Sequence, residues 1–257
     1  MSRNLTALVT GGGTGIGAAT ARLLARDGFD VVVAGRRRDR LVAVAAELGP
    51  AARALVLDVT DVDSVREGLA TFDRLDVLVN NAGGALGLSR VEDADPAQWQ
   101  QMYAVNVLGT MHVTKAALPL LRRSPRATIV DVSSIAGQQP YEGGGGYVAA
   151  KHGTSVVSET LRLELNGEHV RVIDIRPGLV HTEEFSTTRL GGDQEAADRV
   201  YADVDHPLVA DDVAQCIAFA VRLPQHVNID SLVVKPVAQA APHKLHRGPI
   251  DWKRGDV

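Results

Sequence analysis

The chain has 257 residues, of which 45% are hydrophobic, with a formal net charge of −4 and a pI of about 6.1. This balance lacks the basic stripe of a nucleic-acid-binding domain, and no apolar run reaches the roughly 20 residues that a membrane-spanning helix needs. Cys216 is the only cysteine, which excludes an intramolecular disulfide and favours a reducing compartment. Since the N-terminus also lacks the apolar region of a secretory signal, we expect a cytoplasmic protein.

Seven short apolar runs predict the strands of one sheet. They are continuous and rich in β-branched residues, which is typical of parallel strands that are covered on both faces. In chain order the predicted strands are residues 5–10, 30–35, 53–58, 75–80, 127–133, 170–175 and 231–236.

Helical segments separate these strands. Residues 16–28 and 38–49 show the 3.6-residue spacing of amphipathic helices, and the second segment ends at a Gly-Pro pair. This repeated alternation predicts an α/β fold: a single doubly wound Rossmann-type domain over residues 1–241, with helices on both faces of a seven-stranded parallel sheet. Residues 178–209 are too long for an ordinary loop. The polar tail, residues 242–257, is either partly disordered or docked on a neighbouring subunit.

A glycine-rich turn joins the first strand to the first helix, where residues 10–17 read TGGGTGIG. Glycines at such a turn let the backbone bend sharply and let a pyrophosphate approach the N–H groups and dipole of the helix N-terminus. A tight turn without a ligand, or a site for another nucleotide-like ligand, is the alternative. The residues assigned to the cofactor here are Gly11, Gly13, Thr14, Gly15, Ile16 and Gly17.

The second strand ends in a basic run, Gly35 followed by Arg36, Arg37 and Arg38. NAD-binding folds commonly place a carboxylate here to hold the ribose 2′-hydroxyl. A guanidinium instead suits a 2′-phosphate, which it can bind in a fork. The sequence therefore predicts NADP(H), with Arg36 as the chief contact and Arg37 or Arg38 in support; a solvated basic helix start is the alternative.

The next two strands end in residues that would complete the cofactor groove. Asp58 ends the third strand, where it is placed to meet the adenine ring, and Val59 follows it. The fourth strand ends in NNAGG, residues 80–84, whose small side chains let the backbone pass close to a cofactor. Asn81, Ala82 and Gly83 are assigned to that contact.

A tyrosine and a lysine stand four residues apart after a run of glycines, in GGGGYVAAKHG at residues 143–153. Tyr147 and Lys151 would share one face of a helix, about 5–6 Å apart. Ser134 ends the fifth strand in VSSIAG, and Asn106 lies in VNVLG within the preceding helix. The glycines at 143–146 either let the chain pass close to a substrate cleft or form a featureless surface loop.

These motifs together carry a resemblance to a known family. The loop TGGGTGIG, the segment NNAG and the set Asn106, Ser134, Tyr147 and Lys151 have the order and spacing of the short-chain dehydrogenase/reductase family, which the chain resembles over nearly its whole length. The resemblance implies hydride transfer between a nicotinamide and a carbonyl or alcohol. It also implies a homotetramer or homodimer.

The same resemblance assigns roles by position. Tyr147 would be the general acid/base, because the Lys151 ammonium and an oxidised nicotinamide favour its phenolate. Lys151 would also hold the nicotinamide ribose. Ser134 would donate a hydrogen bond to the substrate oxygen, and Asn106 would anchor a water that links Lys151 to solvent. The residues that would meet the nicotinamide carboxamide are Pro177, Gly178, Val180 and Thr182.

Residues 81–87, 177–193 and 223–239 look similar to the bacterial NADP-dependent 3-hydroxy acid dehydrogenases, which act on serine and allo-threonine. In that light residues 178–209 form a lid in which Arg189 meets a substrate carboxylate; the alternative is a solvated lid arginine. Tyr141 and His181 are further candidate substrate contacts, although a lone polar lid residue such as His181 is more often only solvated. No metal site is expected.

Three interpretations of function stay open. The favoured one is an NADP(H)-dependent oxidoreductase that interconverts a secondary or primary alcohol and its carbonyl, with a 3-hydroxy acid as substrate. The alternative within the same class is a reductase of uncharged ketones or aldehydes. In other classes the alternatives are a non-catalytic dinucleotide-binding sensor and a methyltransferase-type sheet, neither of which would need Tyr147 or Lys151.

Overall fold

The computed structural model describes residues 5–252. The first four residues of the predicted domain (1–4) and the last five of the predicted tail (253–257) therefore lie outside the described residues. The strands are β1 (Thr6–Thr10), β2 (Asp30–Gly35), β3 (Arg53–Val56), β4 (Val77–Asn80), β5 (Thr128–Val132), β6 (Arg171–Pro177), β7 (Val180–His181), β8 (Leu208–Val209), β9 (Ser231–Val234), β10 (Gln239–Ala241) and β11 (Lys244–Leu245). The helices are α1 (Gly15–Arg26), α2 (Arg38–Leu48), α3 (Val62–Leu69), α4 (Pro96–Tyr103), α5 (Gly109–Leu121), α6 (Gly145–Glu164), α7 (Phe185–Arg189), α8 (Gln194–Tyr201) and α9 (Ala210–Arg222).

Seven of the strands form a parallel sheet in the order β3-β2-β1-β4-β5-β6-β9. Each predicted strand is present with its ends moved by a few residues, so the predicted fold class is confirmed. The chain proceeds outward from β1 in one direction and then restarts at β4 in the other. The carboxyl ends of β1 and β4 therefore flank a crevice, which is where ligands bind in open α/β sheets.

Both faces of the sheet are buried along its five inner strands, which explains why these strands read as continuous apolar runs, whereas the edge strands β3 and β9 are partly exposed. On one face, α1, α2 and α9 pack on side chains such as Val9, Val33 and Ile175. On the other face, α3, α5 and α6 pack on side chains such as Leu8 and Ile129. Among the helices of residues 5–252, none has the length and apolar character to cross a bilayer.

The long segment 178–209, called the lid from here on, is built from short regular elements. It contains β7, α7, α8 and β8, and β7 pairs with β8 in parallel. The Asp193 side chain caps α8 by accepting a hydrogen bond from the Ala196 N–H at 2.9 Å. The lid crosses the carboxyl ends of the sheet strands and so borders the crevice.

The described part of the polar tail is ordered and contacts the same chain. Gly248 N donates to the Asp203 carbonyl at 2.7 Å, and the Asp205 carboxylate accepts from Ile250 N at 2.9 Å and from Trp252 Nε1 at 2.8 Å. The two expected states of this tail were disorder and docking on a neighbouring subunit. Within the described chain, residues 247–252 contact the chain's own lid, and docking of the tail on a neighbouring subunit stays a prediction.

Candidate active site

The crevice at the carboxyl ends of the strands is a cleft of about 670 Å³. Most of the residues assigned to a site from the sequence line it, although they come from loops, helices and strands that are far apart in the sequence. The residues it brings together are Gly11, Gly13, Thr14, Gly15, Ile16, Arg36, Arg37, Asp58, Val59, Asn81, Ala82, Gly83, Ser134, Tyr141, Tyr147, Lys151, Pro177, Gly178, Val180, Thr182 and Arg189. Gly17, Asn106 and His181 are not part of its wall.

The glycine turn has the conformation and the close packing that its sequence requires. Gly11 has φ +63° and Gly15 has φ +50°, a backbone conformation that residues other than glycine rarely adopt. Gly17 lies behind the turn: a Cβ there would meet the Gly11 carbonyl oxygen at 2.2 Å. It therefore allows α1 to pack against the loop and makes no contact with the cleft.

The start of α1 presents unengaged donors to the cleft. Thr14 stands at the N-cap without a side-chain capping bond, and the first turn of α1 holds no acidic residue. The N–H groups and positive dipole end of this helix are thus available to an anion. This is the arrangement expected of a pyrophosphate site.

At the far end of the same groove, Arg36 is exposed beside Asp58. Burial alone would raise the pKa of Asp58, but hydrogen bonds from Thr60 and the charge of Arg36 hold that pKa below its ordinary value. A guanidinium and a fixed carboxylate therefore stand at the end of β2 and after β3. The guanidinium suits a phosphate, and the carboxylate can accept hydrogen bonds from an adenosine.

Arg37 is engaged by a lid residue that the sequence did not single out. Its guanidinium donates to the Glu184 carboxylate at 2.8 and 2.6 Å, and Arg37 Nη2 also lies 3.4 Å from Thr14 Oγ1. These hydrogen bonds lower the pKa of Glu184. The contact spans 147 residues of sequence, so no local pattern could have revealed it. It connects the lid to both the glycine turn and the basic run.

Tyr147 and Lys151 lie on the buried face of α6, as their spacing predicted. Lys151 Nζ is 5.8 Å from the centroid of the Tyr147 ring and donates to the Val132 carbonyl at 2.9 Å. A Cβ on Gly83 would come within 3.3 Å of Lys151 Nζ, so the glycine after β4 leaves room for the lysine. Both side chains are more than nine-tenths buried.

Burial shifts the protonation of both groups toward their neutral forms. It lowers the pKa of Lys151 to about 8, against the opposing charges of Asp174 and Asp131. It raises the pKa of Tyr147 to about 12, with Tyr141 adding to this rise and Ser134 and Arg189 opposing it. The phenolate therefore needs further positive charge nearby before it can form near neutral pH.

Ser134 and Asn106 stand on opposite sides of this pair. Ser134 caps the short 3₁₀ turn Ile135–Gly137 by accepting from Ala136 N at 3.1 Å, and its hydroxyl lines the cleft. Asn106 sits in a π-helical turn, Ala104–Leu108, and its side chain exchanges two hydrogen bonds with the Gly84 backbone at 2.9 and 3.2 Å. Asn106 thus fixes the loop after β4 from behind the cleft wall.

Arg189 faces Tyr147 and Tyr141 from the lid. Its Cζ lies 5.5 Å from the Tyr147 ring centroid and 5.6 Å from that of Tyr141. Arg189 Nη2 donates to the Tyr141 hydroxyl at 2.9 Å and Nε donates to the Gly87 carbonyl at 3.2 Å. The contacts with Tyr141 and Gly87 thereby hold the Arg189 cation beside the Tyr147 ring.

His181 points away from the cleft, and its ring packs on that of Tyr201 with centroids 4.3 Å apart. The lid wall includes residues that were not expected. Phe185 meets the edge of Tyr147 at 5.8 Å between centroids, and the hydroxyls of Ser186 and Tyr201 share a hydrogen bond of 2.6 Å. Tyr201 therefore takes the position at the cleft that His181 was expected to hold.

The four glycines before Tyr147 are close-packing positions, which neither sequence-based interpretation expected. A Cβ on Gly146 would lie 2.4 Å from Met102 Cε, and one on Gly145 would lie 2.8 Å from the Trp99 ring. A Cβ on Gly144 would meet the Tyr141 ring at 2.4 Å. The glycines thus let α4 and Tyr141 pack directly on the backbone at the start of α6.

Known proteins share this sequence and architecture. Residues 5–191 match the family described as short chain dehydrogenase. The chain is 41% identical over 239 residues to a serine 3-dehydrogenase of Agrobacterium fabrum, with 91% of this chain and 95% of that protein covered. It is 43% identical over 240 residues to sulfoacetaldehyde reductase 2 of Chromohalobacter salexigens, with 91% and 94% covered. A solved closed form of serine dehydrogenase in complex with NADP⁺ superposes with a TM-score of 0.89 at 36% identity, over 95% of this chain and 100% of that one.

Proposed function

Since the chain belongs to the short chain dehydrogenase family of oxidoreductases, we propose that it interconverts a short anionic alcohol and its carbonyl compound with NADP(H), and that 3-hydroxy acids are its substrates. The observation that carries the substrate class is Arg189, a cation held 5.5 Å from the Tyr147 ring centroid. The role proposed for each side chain follows from its position around Arg189 and Tyr147.

NADP(H) fits the groove on three grounds. The N-terminus of α1 offers free N–H groups to a pyrophosphate, and Gly11 and Gly15 keep the approach clear. Arg36 supplies a guanidinium at the end of β2, where an enzyme specific for NAD would carry a carboxylate. The solved serine dehydrogenase that this fold resembles holds NADP⁺. When bound, the nicotinamide supplies the hydride acceptor for the alcohol or the hydride donor for the carbonyl.

Tyr147 is the proton-transfer group of the proposed reaction. As a phenolate it removes the hydroxyl proton of the alcohol, and as a phenol it returns a proton to the carbonyl oxygen. Burial holds the Tyr147 pKa at about 12, so the Lys151 ammonium must stabilise the phenolate. Lys151 is kept in place by the Val132 carbonyl and can also reach the ribose of the cofactor.

Ser134 binds the oxygen on which charge changes. Its hydroxyl lines the cleft, where it can donate to the substrate oxygen as negative charge develops there. Asn106 acts from outside the cleft by holding the Gly84 backbone. The expected water between Asn106 and Lys151 stays a prediction.

Arg189 orients the substrate through its anionic group. A guanidinium pairs with a carboxylate or a sulfonate in a fork, with charge-assisted hydrogen bonds. Serine carries a carboxylate and sulfoacetaldehyde a sulfonate, and proteins that resemble this chain are named for each of these compounds. An anion on Arg189 would place the oxygen-bearing carbon, which one further carbon separates from the anionic group, over Tyr147 and Ser134.

Replacement of Arg189 by methionine tests this assignment. We expect kcat/KM for 3-hydroxybutyrate with NADP⁺ to fall by about 10- to 150-fold, the equivalent of a lost charge-assisted hydrogen bond. Oxidation of its uncharged methyl ester should change little. The matched control is Arg199→Met, which removes an exposed lid cation that pairs with Glu195. Equal losses with the acid and the ester would show that Arg189 only supports the lid, and would favour an uncharged substrate.

The expected homotetramer or homodimer and the cytoplasmic location stay predictions. Apolar side chains on the outer faces of α5 and α6 support self-association, with Met111 37%, Val156 57% and Leu163 79% exposed. Analytical ultracentrifugation of the wild type and of Val156→Glu measures it. A monomeric wild type would contradict the proposal.

A further inference from the structure

Two carboxylates are buried in the sheet directly behind the catalytic lysine. Asp131 of β5 and Asp174 of β6 are register partners on adjacent parallel strands, and neither exposes any surface. Register partners point to the same face of a sheet, here the face that α6 covers. Two acidic groups therefore lie side by side in the protein interior, where a charge must find compensation.

The hydrogen bonds of the two carboxylates differ in kind. Asp174 accepts from Arg176 Nε at 2.6 Å and also from the Ser133 hydroxyl. Asp131 accepts from Asn80 Nδ2 at 2.8 Å and from Ser158 Oγ at 2.5 Å, which are neutral groups. One carboxylate is thus paired with a cation, and the other is held only by dipoles.

Arg162 and Lys151 are the two cations of α6 that interact with these buried carboxylates. Lys151 Nζ is bonded to the carbonyl of Val132, the residue that follows Asp131. Lys151 is itself fully enclosed, and the charges of Asp174 and Asp131 oppose the effect of burial on its pKa. Burial and the charge of Asp174 raise the pKa of Asp131 to about 6, against the hydrogen bonds from Ser158 and Asn80 and the charge of Arg162. Asp131 is therefore ionised at the alkaline pH where Lys151 titrates.

The surroundings contain few other charges that could take over this role. Arg176 is divided between Asp174 and Glu159, whose carboxylate accepts from Arg176 Nη2 at 3.1 Å. The strand β4 and the helix α5 contribute neutral groups, as Asn80 also donates to Thr114 Oγ1. In residues 5–252 the charged groups around the pair are Lys151, Glu159 and Arg162 of α6 and Arg176 of β6.

We propose that Asp131, together with Asp174, is a positioning residue that keeps Lys151 in its charged form while Tyr147 takes the substrate proton. This inference rests on the function proposed above, since it gives the Asp131 carboxylate a part in the same proton transfer. Asp131 touches neither substrate nor cofactor. It acts through the ammonium of Lys151, and Lys151 acts on the phenolate.

The direct test measures Lys151 in the cofactor-free protein and does not depend on activity. The chain has five lysines, so ¹³Cε–¹⁵Nζ correlation NMR can follow each one through a pH titration, with Lys151→Met to assign the signal. In Asp131→Asn the Asn80 and Ser158 bonds can be kept, because the amide offers an oxygen to one and an N–H to the other. We expect the pKa of Lys151 to fall by about 1 when this nearby charge is removed.

A matched control is Asp76→Asn, which neutralises another fully buried carboxylate, at the opposite end of the strands. It should leave the Lys151 titration unchanged. An unchanged titration in Asp131→Asn, or equal shifts in both variants, would overturn the proposal. If Asp131→Asn does not fold, Asp174→Asn is measured in its place. The pKa of Lys151 should again fall, and an unchanged Lys151 titration would again overturn the proposal.

The pH profile of alcohol oxidation gives a second reading. The ratio of wild-type to Asp131→Asn kcat/KM should be close to one near pH 6, where Asp131 takes up its proton. It should rise toward about tenfold at alkaline pH, as Lys151 loses its charge earlier in the variant. A merely structural role would give a ratio that does not change with pH. If neither enzyme oxidises any alcohol, the proposed function fails, while the NMR result still decides the link between Asp131 and Lys151.

Discussion

Glu184 holds Arg37, a predicted cofactor contact, and its replacement by glutamine should tighten NADPH binding if Arg37 binds the cofactor. In the structure the Glu184 carboxylate occupies both the Arg37 guanidinium and the hydroxyl of Thr14 at the glycine turn. A phosphate that enters the groove must displace this carboxylate or lie beside it. Glutamine keeps the size of the side chain and removes its charge.

The expected change in NADPH affinity follows from the solvent exposure of the Arg37–Glu184 ion pair. The side chains of Arg37 and Glu184 are 52% and 32% exposed, so their ion pair contributes about 0.2–1 kcal/mol, as exposed pairs do. Since binding no longer has to break that pair, the dissociation constant of NADPH should fall by about 1.5- to 5-fold. The gain should shrink at high salt, because screening weakens the pair in the wild type.

The assay is a fluorescence titration with NADPH at low and high ionic strength. Glu183→Gln is the control, since Glu183 is an exposed neighbour that carries the same charge. Weaker NADPH binding in Glu184→Gln would refute the competition and show that the Glu184 contact closes the lid over the bound cofactor. An equal gain in both variants would show an effect of overall charge alone.

Three further outcomes are expected. Arg36→Ala should weaken NADPH binding and leave NADH binding nearly unchanged, as parallel fluorescence titrations would show; equal affinity for both cofactors in the wild type would contradict the choice of NADP(H). Tyr147→Phe should lower turnover by about 10²- to 10⁴-fold while cofactor binding is retained, and residual activity near the wild-type level would remove Tyr147 from the chemistry. Trp252→Phe deletes the bond to Asp205 and should speed amide hydrogen exchange in residues 203–209 several-fold, whereas unchanged exchange would mean that this bond does not hold the lid.

The sheet could be predicted from the sequence because burial on both faces leaves a local signal. Each strand is a continuous apolar run, and the glycine turn and the pair Tyr147 and Lys151 occur at fixed local spacings. Such patterns need only neighbouring residues. The predicted order of elements and the wall of the cleft followed from them.

The contacts that escaped prediction are long-range or depend on packing. Glu184 meets Arg37 across 147 residues, and no periodicity marks either one for the other. The close packing of Gly146 under Met102 requires knowledge of where α4 lies. His181 was a candidate substrate contact with solvent exposure as the alternative, and in the structure it is exposed at the end of β7 with its ring on Tyr201.

The attachment of residues 248–252 to the lid links the last described residues of the chain to the wall of the cleft. Asp203 and Asp205 receive these residues through backbone and indole N–H groups, and Pro242 lies in the cleft wall. A reporter dye placed among residues 248–252 would thus lie against the lid. Substitutions in these residues can likewise alter the lid without altering a single strand of the sheet.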